Sequence, residues 1–192
     1  MRLLITTSKS VLACDLTSAS LDVVHRGAGL YYGIAERDNR YYVAARQRMV
    51  SSERLSVDER GAILVFDQDL KHVQTIEAPF ALRDLHQIAW IGEELWCTCS
   101  YDNMIGIMRA DGTWERWYPA GASIDEPYDK HHFNSIAEDG PNVAILAHNL
   151  QNPSEIFLFG KKKPRSCRPV HAGQTSAQSL AHEWLLDNLF VS

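Results

Sequence analysis

The chain has 192 residues, 45% of them hydrophobic and 22% charged, and carries a formal net charge of −5. That length and mixture support a packed core and exclude a disordered or membrane-embedded chain, while the acidic balance argues against broad nucleic-acid binding, which needs a basic surface. No window approaches the roughly 18 to 20 consecutive apolar residues of a membrane span.

The first element is a strand over Leu3–Thr7. Met1 to Ile5 offers one positive charge and a short apolar run, but Thr6, Thr7, Ser8 and Lys9 end it too soon for a signal peptide. Short alternating or apolar runs then recur at Ser10–Leu16, Leu21–His25, Tyr31–Ala35, Tyr41–Ala45, Ala62–Asp67 and His72–Ile76. They continue at Leu85–Ile91, Leu95–Ser100, Ile105–Met108, Trp114–Tyr118, Phe133–Ala137, Val143–Ala147 and Glu155–Phe159. Arg168–Val170, Ala181–Leu186 and Leu189–Ser192 complete the series. Gly, Asp, Asn and Ser bound most of these runs, and no long segment shows helical apolar spacing between caps. The expectation is an all-β fold in one domain covering residues 1–192.

The four cysteines, Cys14, Cys97, Cys99 and Cys167, include a C-x-C, which in a strand puts both thiols on one face and cannot normally close a disulfide. They read as small core hydrophobes in a reducing, cytoplasmic setting. The basic run Lys161-Lys162-Lys163-Pro164-Arg165 reads as a solvated loop tip between two apolar segments.

The strands repeat in groups. Tyr32-Gly33-Ile34-Ala35-Glu36, His86-Gln87-Ile88-Ala89-Trp90, Asn134-Ser135-Ile136-Ala137-Glu138 and His182-Glu183-Trp184-Leu185-Leu186 align, each followed by a turn and a second apolar strand. Four strands per repeat of about 40 to 50 residues is the signature of a β-propeller with four-stranded antiparallel blades. About four blades are present. The ends fall inside blades, so either they join into one composite blade or the chain is a partial, shortened propeller, and the second reading is preferred. In either case Tyr32, His86, Asn134 and His182 stand at equivalent positions near one mouth of the central channel.

The segments LRDLHQI, DKHHFNSI and SEIFLF, with HAGQ and AHEW, resemble a bacterial β-propeller family of unknown function. That family is distantly similar to the NHL-repeat and gluconolactonase-like propellers. The resemblance implies a polar channel mouth, often occupied by a metal, and further blades after Ser192. The lactonase ligand set of Glu, Asn and Asp is not reproduced; His stands at the equivalent positions.

Several polar residues therefore gather as a candidate site: Asp84, His86, Asp129, His131, His132, Asn134, His148 and His182. The hairpin from Asp129 to Asn149 brings the two ends of this set together, because antiparallel strands pair first residue with last. His86, His132 and His182 are the expected ligands of a divalent metal (Zn, Fe or Ca), since imidazole is the commonest transition-metal ligand. Asp84 and Asp129 lie two residues before a His on a strand and are expected to orient the rings. Arg83, Asn134 and His148 are expected to bind a small polar ligand, with Arg46 and Arg48 as further candidate anion clamps.

The expected activity is that of a metal-dependent hydrolase or lyase. The competing expectation is a non-enzymatic scaffold for a protein partner, its histidines fastening blades as the His and Asp of WD repeats do. Open blade edges allow a homodimer. Five tryptophans, Trp90, Trp96, Trp114, Trp117 and Trp184, can stack on a ligand or pack blades together, and packing is the expected role.

Overall fold

The computed structural model describes residues 2–48, 56–121, 128–161 and 170–171. Its strands form four antiparallel sheets, each wound from one continuous stretch of chain. The first holds β1 (Arg2–Thr6), β2 (Ser10–Asp15) and β3 (Ser20–Arg26). The second holds β4 (Tyr31–Arg37), β5 (Arg40–Ala45), β6 (Ala62–Phe66) and β7 (His72–Ile76). The third holds β8 (Leu85–Ile91), β9 (Glu94–Cys99), β10 (Met104–Met108) and β11 (Trp114–Trp117). The fourth holds β12 (Phe133–Asp139), β13 (Asn142–Ala147), β14 (Glu155–Gly160) and β15 (Val170–His171).

Within each four-stranded sheet the strands lie in sequence order, and the first strand of one sheet packs on the first strand of the next, β4 on β8 and β8 on β12. The turns between neighbouring strands are built for this. Asp38 and Asn39, both with φ in the left-handed region (52° and 57°), make the two-residue link from β4 to β5 that matches strand twist.

Three apolar layers fill the spaces between sheets. Val11 meets Val43, Leu64 and Phe66 between the first and second sheets. Ile63 and Ala44 meet Leu85, Ile88, Leu95 and Met104 between the second and third. Trp96, Ile105 and Trp117 meet Phe133, Ile136, Phe157 and Phe159 between the third and fourth. A middle strand such as β6, Ala-Ile-Leu-Val-Phe, is buried at every position because a neighbouring sheet covers each of its faces. The outermost strands β3 and β7 are mostly exposed, and their sequences mix charged and polar residues accordingly.

Trp96 and Trp117 pack edge to face in the last of these layers, Trp114 meets Phe80, and Trp90 lies between Tyr42 and the Arg37 guanidinium. Packing accounts for these four; Trp184 lies outside the described residues. Cys97 and Cys99 are fully buried thiols, and burial raises both well above the ordinary thiol range.

At the end of the sheets where the β4–β5, β8–β9 and β12–β13 turns lie, a chain of polar contacts crosses from sheet to sheet. Arg37 reaches Glu93 and the carbonyl of Gly92, Glu138 accepts the Gly92 N–H at 2.9 Å, and Lys161 pairs with Glu138 at 2.7 Å. Lys161 is thus a tether rather than a free loop cation; the rest of the basic run lies outside the described residues.

Lys161, opposed by burial and helped by the Gly92 N–H, holds the Glu138 carboxyl below its ordinary value. A depressed carboxylate adds stability above its unfolded pKa and loses it as pH falls through the folded one. With Glu138 some 40% exposed, the contribution is about 0.5 kcal/mol. Glu138→Gln is expected to flatten the acid limb of stability by about that amount. Urea midpoints compared between pH 3 and pH 7 check this.

Candidate functional site

The equivalence of the first strands holds residue by residue. Tyr31, Leu85 and Phe133 open β4, β8 and β12 and pair with Ala45, Cys99 and Ala147 at the ends of β5, β9 and β13. One register irregularity follows in each. In β8 the two residues His86 and Gln87 oppose the single residue Thr98, whose Oγ1 takes the Gln87 N–H at 2.8 Å. Such a bulge re-aims a side chain at the strand end, and here the re-aimed residues are Tyr32, His86 and Asn134.

The residues flanking this ladder are equivalent too: Asp84 and His132 precede their strands, and Arg46, Ser100 and His148 follow theirs. Asp84 and His132 both adopt left-handed backbone conformations, with φ of 53° and 46°. That conformation is unfavourable for residues other than glycine and clusters at functional positions.

These residues converge across the three sheets. Asp84, His86 and His132 present donor atoms that all lie within 4.8 Å of one another. His86 Nε2 is 3.3 Å from Asp84 Oδ1, yet it is buried without a hydrogen bond of good geometry. The His86 ring lies 5.1 Å from that of His132 and 4.8 Å from that of Tyr32, and His132 lies 5.8 Å from His148. Asn134 Oδ1 is likewise buried without a partner.

Carboxylates fix this arrangement. Asp129 Oδ1 meets His132 Nδ1 at 2.6 Å, which leaves Nε2 as the ring's outward nitrogen, the way a carboxylate commonly orients a ligating imidazole. That hydrogen bond, opposed by burial, raises His132 above the ordinary imidazole value. Burial by itself would raise the Asp84 carboxyl, but His86 and Arg46 outweigh it and hold the group low.

Arg46 carries a second carboxylate that the sequence did not point to. Its Nε and Nη2 bond both oxygens of Glu59 at 2.8 and 2.9 Å, its Nη1 meets Asp84, and Glu59 also accepts the Asp84 N–H at 2.9 Å. Glu59 is fully buried. It lies in the β5–β6 connection, where no spacing or motif marks it. Two carboxylates, Asp84 and Glu59, thus share one guanidinium, while Asp129 is engaged by His132.

The predicted site residues divide accordingly. His86, His132, His148, Asp84, Asp129 and Asn134 stand at this end of the sheets, with Asp84 Oδ1 3.3 Å from His86 Nε2. Arg83 is held by Asp102 at 2.8 Å, and Arg46 is engaged by its two carboxylates. His131 turns to the apolar side, stacked on Phe133 with ring centroids 5.3 Å apart. His182 lies outside the described residues.

No family model and no curated protein matches the sequence. Solved structures do. A chain of the nidogen/laminin complex superposes with a TM-score of 0.60 at 15% identity, over 84% of this chain and 58% of that one. The Neurospora crassa Pan2 WD40 domain gives 0.59 at 12%, over 88% and 48%. The RRP9 WD40 repeats give 0.55 at 12%, over 83% and 42%.

The fold is that of a β-propeller. The four sheets are blades, and this chain spans about half the length of the propellers it matches. β4, β8 and β12 are the innermost strands, so the Asp84, His86 and His132 cluster sits at one mouth of the channel. The first sheet corresponds to the three outer strands of a blade, since His25 of β3 lies against His72 of β7. Among the described residues no helix is long and apolar enough to cross a membrane.

Proposed function

We propose that this propeller binds a divalent transition metal at the channel mouth through Asp84, His86 and His132, with His148 and Asn134 beside it for a small polar ligand. The observation that carries the reading is the buried Nε2 of His86, which meets only Asp84 Oδ1, at 3.3 Å and in poor hydrogen-bond geometry, among donor atoms within 4.8 Å of one another. A buried nitrogen so poorly satisfied is costly, and a metal ion bound between it and Asp84 would satisfy both.

Two imidazoles and one carboxylate suit Zn²⁺ or Fe²⁺ and fit Ca²⁺ poorly, because calcium takes oxygen ligands. Glu59 and Asp84 together outweigh the Arg46 charge by one, which favours a cation beside Asp84. Three protein donors leave coordination positions open, as in metal-dependent hydrolases and lyases, where the metal supplies Lewis acidity to a substrate oxygen or water. Asp129 keeps the His132 Nδ1 proton in place, and Tyr32 closes one wall against the His86 ring.

Metal analysis of the purified chain is expected to find about one Zn²⁺ or Fe²⁺ per molecule. Replacing His86 and His132 together by Ala should abolish retention with an unchanged circular dichroism spectrum, and Asp129→Asn should weaken affinity by about 10- to 100-fold. A well-folded wild-type chain that takes up neither Zn²⁺ nor Co²⁺ on titration overturns the metal reading.

A second reading rests on the comparisons. Two of the matched structures are of assemblies, a nidogen/laminin complex and a mitotic checkpoint complex, and a scaffold whose propeller face binds a protein partner agrees with them. In that reading the histidines join neighbouring blades and the metal-free protein keeps full binding; a homodimer through open blade edges would show as doubled mass in light scattering.

A further inference from the structure

A second polar constellation lies away from the channel mouth. A cleft of about 560 Å³ opens between the first blade and the second, within the size range of small-molecule sites. Its polar wall is His25 and Arg26 of β3 facing His72 and Thr75 of β7. Ala45, Ala62 and Leu64 form its apolar floor. No carboxylate lines it, although the chain as a whole carries a net charge of −5.

The two imidazoles are held for use. The buried Tyr31 hydroxyl accepts the Ala28 N–H at 2.9 Å and meets His25 Nδ1 at 2.8 Å. The contact fixes the ring orientation and leaves Nε2 as the nitrogen turned away from Tyr31. His72 meets Thr75 Oγ1 through Nε2 at 3.1 Å, leaving Nδ1, and the two rings lie 5.4 Å apart. Burial, and then neighbouring His72, keeps His25 below the ordinary imidazole value.

Arg26 has no ion pair among the described residues and supplies the fixed charge. The rim is equally constrained: Gly29 has φ of 92°, and a Cβ there would stand 2.4 Å from the backbone nitrogen of Arg48. Only glycine lets the rim close down on the β5 end.

The geometry points to this cleft as a binding site for a small organic oxyanion, a carboxylate or phosphate carried on an apolar group. The oxyanion meets Arg26 and the imidazole edges, in keeping with the strength of charge-assisted hydrogen bonds. The apolar group lies over Ala45, Ala62 and Leu64. This site is independent of the metal cluster, which belongs to other residues.

Phenyl phosphate is the probe, followed through the imidazole resonances of His25 and His72. Saturable shifts are expected, at least tenfold stronger in affinity than those from benzyl alcohol, which lacks the charge, or from inorganic phosphate, which lacks the ring. Arg26→Gln should weaken phenyl phosphate about tenfold while leaving the circular dichroism spectrum and urea midpoint unchanged, because Arg26 is exposed. His72→Gln, also at an exposed position, gives a second variant that spares the Tyr31 contact. No saturable shift up to ~10 mM phenyl phosphate overturns the proposal, as does equal binding of benzyl alcohol or unchanged affinity in Arg26→Gln.

Discussion

Glu59→Ala is expected to cost about 3–5 kcal/mol of folding stability, the range measured when one partner of a buried ion pair is removed. Glu59 is fully buried and accepts three hydrogen bonds, two from Arg46 and one from the Asp84 backbone. Its loss leaves a buried guanidinium with Asp84 alone and strands an N–H at the entry to β8. Against a total of about 5–15 kcal/mol, that brings the chain near unfolding. Glu59→Gln should recover part of the loss, since one amide oxygen still accepts while the amide NH₂ opposes a guanidinium donor.

The double variant Arg46→Met with Glu59→Leu distinguishes a buried charge from a packing fault. It removes the cation that Glu59→Leu leaves unpaired but takes from buried Asp84 its Arg46 partner, so it should be more stable than Glu59→Leu only by the difference between those two costs. Urea unfolding of the wild type, Arg46→Met, Glu59→Leu and the double variant measures the coupling. A loss below about 1 kcal/mol for Glu59→Ala would mean that water reaches Arg46 and that the pair does not join the second blade to the third.

Much of the propeller was legible because its blades repeat a physical demand. Each blade needs an inner strand that opens on a buried residue and two apolar middle strands, and turn residues mark the strand ends. Hence His72–Ile76 and Leu85–Ile91 are strands with the bounds the pattern predicts, and Tyr32, His86 and Asn134 are equivalent. The C-x-C of β9 reads correctly as buried thiols for the same reason: β9 is covered on both faces.

The site was legible only in outline. That Asp84 and His86 share a strand face follows from period two only if the backbone stays extended, and it does not: Asp84 is left-handed and a bulge follows. Asp84 consequently stands beside His86 Nε2, with an oxygen 3.3 Å from it. The choice of partner for each arginine is likewise tertiary. Arg83 goes to Asp102 and Arg46 to Glu59, pairings between loops that no local pattern encodes.

Gly33→Ala tests whether the channel-mouth geometry depends on the contact between inner strands. A Cβ at Gly33 would stand 2.7 Å from both Gln87 Cα and Ile88 N and 3.0 Å from the His86 carbonyl oxygen. All three are backbone atoms of β8, so no side chain can swing aside, and β4 must move away from β8. Overpacking of this kind costs about 1–3 kcal/mol. The displacement falls on the residues that flank it, Tyr32 against the His86 ring and Arg46 against Asp84.

Gly33→Ala should therefore lower transition-metal affinity as well as the urea midpoint, because a shift of a few tenths of an ångström in His86 spoils a three-donor geometry. Gly160→Ala is the control, since nothing stands within 4 Å of a Cβ there and its φ is ordinary; it should change stability by no more than about 0.5 kcal/mol and leave metal affinity alone. If Gly33→Ala proves as mild as Gly160→Ala, the inner strands have slack between them, and the cluster at the mouth is not held by their close approach.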